Sequence, residues 1–373
     1  MKIKVLYTIP NFDTAGSGKA LLNLAAGLDK NKFDVHIACL HNKGVFFKEV
    51  EASGIPIHIL DFISPARPIW KLLKNAWKVS RSFKKINPDI IHSFHYSADY
   101  TEALAAWLAG IPWIFTKKNM SWGGTSARAW KLRSALAKGI IVQNTDMKEQ
   151  FYPSRKKVQL IPRGVNIEKF SPKEVDDSIR EKMQSELNDR VIICVANFVP
   201  VKGIELLLQA FEALIPHYQN WKLWLVGDED NQYGQKLKSW VLTHQIQSKI
   251  MFSGKQSDIA PYLNHAEIFV LPTLDEGRRE GSPVAILEAM ANGKVVIGSA
   301  VPGIKDQLIE YPNHLFIPGN WENLKQKLES FMKLSPSENQ SLGKQFSDLA
   351  RRGFSIENET EKHEQFYQNI SSA

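Results

Sequence analysis

Short apolar runs alternate with longer amphipathic stretches along most of the chain. Each run is rich in Val, Ile and Leu and is too short for a helix, which is typical of a strand buried on both faces. Parallel strands that alternate with covering helices define an α/β fold. The predicted strands span residues 2–8, 35–40, 89–92, 111–117, 139–143, 191–196, 222–226, 250–254, 268–271 and 295–297.

The amphipathic pattern is clearest over residues 69–86, where it predicts a helix that ends before Pro88. Its apolar stripe consists of Ile69, Leu72, Ala76, Val79, Phe83 and Ile86, and is widened by Trp70, Leu73 and Trp77. The opposite face carries Lys71, Lys74, Lys78, Arg81 and Lys85. Two interpretations stay open: a helix that covers a sheet and keeps a solvated basic side, or a face that rests on anionic lipid.

Length and composition predict two globular domains in 373 residues, of which 43% are hydrophobic and 23% charged. Cys39 and Cys194 lie in strand-like runs, so we expect buried reduced thiols and a cytoplasmic protein. We expect neither a signal peptide nor a membrane span. The net charge of +8 calls for an acidic partner. Without a nucleic-acid-binding module, a nucleotide sugar or an anionic lipid fits that charge.

Residues 268–303 predict a strand, a polar glycine-rich loop, a helix from about residue 283 and a second strand. Gly281, Ser282 and Pro283 place backbone N–H groups at the start of that helix, which is an anion site. Glu280 lies at the loop tip and Glu288 lies in the helix. A carboxylate beside an anion site usually holds sugar hydroxyls. Together these residues predict a pocket for a sugar that carries a diphosphate.

The same residues resemble the Glu-x7-Glu signature of the retaining glycosyltransferases of family 4. That signature would run from Glu280-Gly281-Ser282-Pro283 to Glu288 and the Ala289-Met290-Ala291 that follows it. A second stretch, Pro162-Arg163-Gly164-Val165-Asn166 through Phe170, resembles the family's junction between domains, with Asn166 in place of Asp. Glu276-Gly277 makes the loop longer than usual, and only Glu280 has the right distance to Glu288.

The resemblance implies a GT-B fold, with two Rossmann-like domains whose parallel sheets face each other across a cleft. It implies a first domain of residues 1–165, completed by a C-terminal helix at 355–373 that crosses back to it, and a second domain of residues 166–354. It also implies a metal-independent retaining enzyme that takes a hexose-type sugar from a nucleotide-diphosphate sugar. The donor itself is the substrate, UDP- or GDP-linked, and no further cofactor is expected.

Site residues of the second domain follow from the same resemblance. Lys202 would stabilise the leaving diphosphate, with Glu280, Gly281 and Ser282 on the sugar and phosphate and Glu288 on the ribose. Gly254 and Lys255 form the turn that meets the base in the family. Asn197 stands where many members have an arginine, so another residue has to balance the charge of the second phosphate. Arg278 or Arg279 could supply that positive charge.

In the first domain, the glycine-rich loop before the helix predicted at about 19–28 would close over the donor phosphates with Gly16 and Ser17. This loop is not a P-loop, because Asp13 and Ala20 occupy two of the required positions. His92 and His95 lie at the carboxyl end of a predicted strand, where ligands bind. One of them would face the transferred sugar and the acceptor, and we favour His95.

The acidic residues Asp228 and Asp230 resemble the manganese motif of a different transferase fold. They follow Leu-Val-Gly at a place where family 4 has a loop, so we predict no metal site there.

The predicted function is transfer of a sugar to a hydroxyl acceptor in the synthesis of envelope, exopolysaccharide or lipid-linked glycans. The protein would work in the cytoplasm, with peripheral contact to an anionic membrane at its inner face. One alternative is a GT-B epimerase of nucleotide sugars. Another is a catalytically silent partner that only binds a nucleotide sugar, which the departure at Asn197 keeps open.

Overall fold

The computed structural model describes residues 2–13, 15–44, 46–95, 97–121, 127–154, 157–277 and 281–372. Its strands are β1 (Ile3–Thr8), β2 (Phe33–Cys39), β3 (Ile57–Ile59), β4 (Ile90–Ser93), β5 (Trp113–Lys117), β6 (Gly139–Val142), β7 (Val158–Leu160), β8 (Arg190–Val195), β9 (Trp221–Val226), β10 (Ile250–Phe252), β11 (Ile268–Leu271), β12 (Val295–Ser299) and β13 (Leu315–Phe316). Its α-helices are α1 (Ala15–Gly27), α2 (Phe47–Ala52), α3 (Ile69–Ile86), α4 (Thr101–Ala109), α5 (Ala127–Leu136), α6 (Thr145–Phe151), α7 (Ile167–Phe170), α8 (Asp177–Lys182), α9 (Ile204–Glu212), α10 (Gln232–Thr243), α11 (Ala260–His265), α12 (Val284–Ala291), α13 (Ile304–Gln307), α14 (Trp321–Met332), α15 (Pro336–Gly353) and α16 (Ile356–Ser371). Short 3-10 helices occupy Pro200–Lys202 and Pro312–His314.

The chain divides into two compact units, one of Met1–Pro162 with Ile356–Ala373 and one of Arg163–Ser355. The first unit contains a seven-stranded parallel sheet in the order β3-β2-β1-β4-β5-β6-β7. The strand order reverses between β1 and β4, which makes their carboxyl ends the switch point of this sheet.

Alternate residues of the first sheet point into two hydrophobic cores, one on each face. Val5 and Tyr7 of β1 belong to one core, and Leu6 belongs to the other. The helix α16 completes the first of these cores with Phe366, Tyr367 and Ile370. This double burial explains why the strands read as continuous apolar runs.

The second unit contains a six-stranded parallel sheet in the order β10-β9-β8-β11-β12-β13. It also has a core on each face, and its switch point lies between β8 and β11. The predicted α/β fold with two parallel sheets is therefore confirmed. No helix in the described ranges is long and apolar enough to cross a membrane.

Two predictions about helices need correction. The first helix begins at Ala15 rather than near residue 19, so the predicted loop residues Gly16 and Ser17 belong to its first turn. The helix α3 has the predicted bounds, but Trp70, Leu73 and Trp77 are exposed instead of widening its buried stripe. Its buried residues are Leu72, Ala76, Val79, Ser80 and Phe83. The period of the pattern was right, and the width of the covered face was overestimated.

Candidate functional site

Five of the predicted residues of the second unit, Asn197, Lys202, Gly281, Ser282 and Pro283, lie in the two loops that leave its switch point. The loop after β8 contains Asn197 and the 3-10 helix Pro200–Lys202, and the loop after β11 leads through Gly281 to α12. Ligands of open α/β sheets bind outside the carboxyl ends of the strands at such a point. The fold thus gathers residues that are about 80 positions apart in sequence onto one edge of one sheet.

Backbone contacts fasten these two loops to each other. The Leu274 N–H donates to the carbonyl of Val201 at 2.8 Å. Gly203 has a φ of +61°, and a Cβ at this position would lie 2.3 Å from the carbonyl oxygen of Pro272. A side chain therefore does not fit there, and the adjacent Lys202 is held in a buried position beside the end of β11.

The segment Gly281-Ser282-Pro283 is fixed from beneath by α13. The buried side chain of Gln307 donates from Nε2 to Ser282 Oγ and to the Pro283 carbonyl, both at 3.1 Å. Gly303 has a φ of +84°, and a Cβ there would lie 2.4 Å from the carbonyl oxygen of Gly281. Pro283 is the N-cap of α12, whose first N–H groups have no carbonyl partner within the helix. This arrangement is suited to a phosphate.

Two polar side chains flank this segment. Glu288 lies on α12 and is half-buried. Thr273, which was not predicted as a site residue, lies two residues after the end of β11. Its buried Oγ1 has no hydrogen-bond partner within the described part of the chain. Its only sequence signal is its position after a buried strand. Glu280, Arg278 and Arg279 lie outside the described residues.

Three predicted residues of the second unit, Asn197, Gly254 and Lys255, lie in loops after β8 and β10. Asn197 and Lys255 are exposed. Gly254 has a φ of +71°, and its N–H donates to Glu229 Oε2 at 3.2 Å. Glu229 also pairs with Lys238 at 2.6 Å, so the acidic loop shapes the turn after β10.

Among the residues that the structure describes, no group of three His, Cys, Asp or Glu side chains could hold a metal.

In the first unit, the predicted residues lie at the switch point between β1 and β4. Gly16 and Ser17 belong to the first turn of α1, the helix that follows β1, where N–H groups lack intrahelical partners. Their N–H groups are therefore available to an anion as part of a helix start rather than of a free loop.

His92 and His95 have different environments. His92 is fully buried in β4 and bonded at both nitrogens, Nδ1 to the Tyr367 hydroxyl at 2.6 Å and Nε2 to Thr116 Oγ1 at 2.8 Å. It is a core histidine. His95 lies beyond the strand, and its Nδ1 has no hydrogen-bond partner in the described ranges. Burial, with the charges of Arg133 and Lys118, lowers the pKa of His95 to about 3, so its imidazole is neutral at neutral pH.

A buried carboxylate joins the two strands of this switch point. Glu102, at the start of α4, accepts hydrogen bonds from Thr8 Oγ1 of β1, from Ser93 Oγ of β4 at 2.8 Å and from Trp113 Nε1 at 3.0 Å. Thr8 and Ser93 are the last residues of β1 and β4. Glu102 therefore fixes the spacing of the two strand ends above which a ligand would bind.

Arg133 of α5 holds the loop that carries His95. Its guanidinium is fully buried and donates to the carbonyls of His95 at 2.6 Å, Ser97 at 3.0 Å and Asp99 at 2.8 Å, and to Ser93 Oγ at 3.1 Å. The sequence does not predict Glu102 or Arg133 as site residues, because a charged residue in a helical pattern is usually exposed to solvent.

Two lysines at the end of β5 donate to backbone carbonyls of the first unit. Lys118 Nζ donates to the Phe94 carbonyl at 2.8 Å. Lys117 Nζ donates to the Ser121 carbonyl at 2.7 Å, and burial lowers its pKa to about 7.

Two parallel sheets, each covered on both faces and each with a switch point in its strand order, define a doubly wound α/β protein. Residues 14–169 match the family model described as Glycosyltransferase Family 4, and residues 175–347 match the model described as Glycosyl transferases group 1. The two matches together span most of the chain. The chain belongs to the glycosyltransferases of family 4.

Similar sequences carry glycosyltransferase names. An uncharacterized glycosyltransferase of Haemophilus influenzae is 22% identical over 93% of this chain and 94% of its own. The capsular polysaccharide biosynthesis glycosyltransferase CapH of Staphylococcus aureus is 24% identical over 89% of this chain and 92% of its own. The UDP-Gal:alpha-D-GlcNAc-diphosphoundecaprenol alpha-1,3-galactosyltransferase of Escherichia coli is 26% identical over 62% of this chain and 63% of its own.

Solved structures show the same fold. A glycosyltransferase from Rickettsia africae superposes with a TM-score of 0.87 at 21% identity, covering 99% of this chain and 98% of its own. HepE from Anabaena, in complex with UDP and glucose, superposes with a TM-score of 0.81 at 18% identity, with full coverage of both chains. Together with the two parallel sheets, these similarities establish the two-domain GT-B fold.

Proposed function

We propose that this glycosyltransferase transfers a hexose, with retention of configuration, from a UDP- or GDP-hexose to a hydroxyl group of a growing glycan. The observation that carries this proposal is the pair of fastened loops at the second switch point. They bring Lys202 and the start of α12 to the same edge of one sheet. The complex of HepE with UDP and glucose supports a nucleotide-sugar donor for a chain of this fold.

In this proposal, the donor diphosphate lies against Lys202 and the N–H groups of Gly281 and Ser282, with Glu288 on the ribose hydroxyls. Gly254 and Lys255 meet the base. Glu280 holds the sugar. These groups supply positive potential where charge develops on the leaving diphosphate, so the mechanism requires no metal.

The acceptor hydroxyl oxygen attacks the anomeric carbon on the face from which the diphosphate departs. The bond between that carbon and the phosphate oxygen breaks, and the acceptor proton passes to the leaving oxygen. In this proposal His95 belongs to the side of the site that faces the sugar and the acceptor, and Arg133 keeps the loop of His95 in place. Retention follows because both bonds lie on one face of the sugar.

We further propose that the acceptor is lipid-linked or belongs to an envelope polysaccharide, and that transfer takes place at the inner membrane face. The names of the Escherichia coli and Staphylococcus aureus relatives support this substrate class. The basic residues of α3 supply the charge for such a location.

Thermal shift of the purified protein with UDP-, GDP-, ADP- and dTDP-sugars tests the donor, because a ligand that binds the folded state raises its melting temperature. Nucleotide release and the anomeric configuration of the product, read by NMR, then test the reaction. Asn197 favours a second candidate, a silent binding module. A melting-temperature rise without nucleotide release, with or without acceptor glycans, would establish that candidate, and an inverted product would exclude retention.

A further inference from the structure

The helix α3 exposes a stripe of large apolar side chains. Trp70, Leu73 and Trp77 are 59%, 50% and 56% exposed, and their spacing of three and four residues places them on one side of the helix. The core already covers the neighbouring side of α3 through Leu72 and Val79. These three residues are therefore an uncovered second apolar stripe.

Basic residues run beside this apolar stripe. The helix contains six Lys and Arg residues and no Asp or Glu. Lys71 Nζ lies 5.5 Å from the Trp70 ring centroid, and Arg81 Cζ lies 5.0 Å from that of Trp77. We define the aromatic–basic face as Trp70, Leu73, Trp77, Lys71, Lys74, Lys78 and Arg81.

The helix α4, which packs against α3, exposes two more large apolar residues. Trp107 at its carboxyl end is 64% exposed, and Leu108 is exposed as well. Single exposed apolar residues are ordinary on soluble proteins, whereas neighbouring ones on one helix mark an interaction surface.

The chemistry of this surface selects its partner. Tryptophan is enriched at the boundary between lipid headgroups and acyl chains, because its ring is apolar and its N–H is polar. Lysine and arginine beside it match anionic headgroups, and a helix with both features lies in the plane of a membrane surface. The absence of acidic residues from α3 favours a uniformly anionic partner over a protein surface of mixed charge.

We propose that the aromatic–basic face docks this protein on an anionic phospholipid bilayer, with Trp70, Leu73 and Trp77 at the headgroup boundary and the four cations on lipid phosphates. The docking rests on the proposed function, because an enzyme with a lipid-linked acceptor has to work at a membrane surface. The binding itself requires neither donor nor acceptor, so it can be tested independently of transfer.

The test is co-sedimentation of the full chain with phosphatidylcholine vesicles that contain or lack phosphatidylglycerol, at low and high salt. At low salt we expect binding to the anionic vesicles and at least about tenfold weaker binding to neutral ones, because each basic residue near an anionic surface is worth a factor of about five. Changing Lys71, Lys74, Lys78 and Arg81 to Gln should reduce binding at least about tenfold. The double variant Trp70→Ser and Trp77→Ser should lose the binding that remains at high salt.

A matched control changes four exposed lysines elsewhere, Lys30, Lys48, Lys344 and Lys362, to Gln. It removes the same total charge and should change binding less than about twofold. Thermal melting confirms that every variant is folded. No binding at low salt, or an equal loss in the control, overturns the proposal.

Transfer to a soluble acceptor separates the two proposals. Vesicle binding without transfer to any acceptor contradicts the proposed function alone. Sugar transfer to a soluble acceptor by a protein that does not bind anionic vesicles contradicts the docking alone.

Discussion

Lys202 combines burial with a place at the switch point of the second sheet. We predict that Lys202→Ala lowers kcat about a hundredfold or more, since the lost charge acts on the departing diphosphate. Donor binding, measured by thermal shift, should weaken less. Lys236→Ala is the matched control, because this lysine is exposed on α10. Turnover within a few-fold of the unaltered enzyme would remove Lys202 from the mechanism.

Arg133 and Glu102 are both fully buried, and each holds one part of the first switch point. We predict that Arg133→Met lowers the free energy of unfolding by about 3–5 kcal/mol, because the carbonyls of its loop lose their buried donor and the attraction between the Arg133 and Glu102 side chains is lost. The double variant Arg133→Met with Glu102→Gln should lose less than the two single variants add up to, as measured by urea unfolding. Strict additivity would show that the two side chains act separately.

Residue-level prediction from sequence succeeded where position along a strand decides the environment. His92 lies in β4 and His95 just beyond it, and this difference separates a bonded core imidazole from one with an unpartnered nitrogen. It failed for Glu102 and Arg133, because their burial depends on contacts across the fold that no local pattern encodes. The role of His95 stays a prediction.

Among the elements, α13 determines the shape of the segment that precedes α12. We predict that Gly303→Ala weakens donor binding, because the left-handed φ and the close Gly281 carbonyl both oppose a Cβ. The measurement is the donor-induced rise in melting temperature. Gly319→Ala is the control: its φ of +79° imposes similar strain, but its Cβ would meet no neighbour. Equal loss of donor binding in both variants would refute a local effect on the phosphate segment.

The element α3 shows what a hydrophobic pattern can and cannot predict. Its period over many residues, with Pro88 after the last apolar position, predicts both ends of the helix, and in the structure Asn87 adopts the left-handed conformation as its C-cap. The pattern identifies residues that can be buried, but it does not reveal whether another element covers them. Trp70, Leu73 and Trp77 therefore looked like core residues. The start of α1 was misplaced because glycines read as loop even when they form a first turn.

For the whole molecule, buried neutral histidines predict how stability depends on pH. Burial lowers the pKa of His92 and His95 in the first unit and of His265 and His314 in the second, to about 3 for His95 and about 4 for His314. An unfolded histidine has a pKa near 6.5, so below that pH the unfolded chain binds protons that the folded chain does not. Stability should therefore fall as the pH drops from 6.5 towards 4.

Urea unfolding at pH 7, 6 and 5 measures this dependence. Each buried histidine contributes a slope of up to about 1.4 kcal/mol per pH unit in that window. A free energy of unfolding that stays constant between pH 7 and pH 5 would contradict the prediction.

The contact of α16 with the first sheet has a consequence for the order of events during synthesis. Tyr367 bonds to Tyr7 at 2.9 Å and to His92 at 2.6 Å, so the innermost strands of the first unit depend on a helix that is synthesised after the whole second unit. The second unit, Arg163–Ser355, requires no such late arrival. A nascent chain that has reached residue 355 therefore has every element of its second unit but an open core in its first. The first unit therefore completes its core only after the second unit has been synthesised.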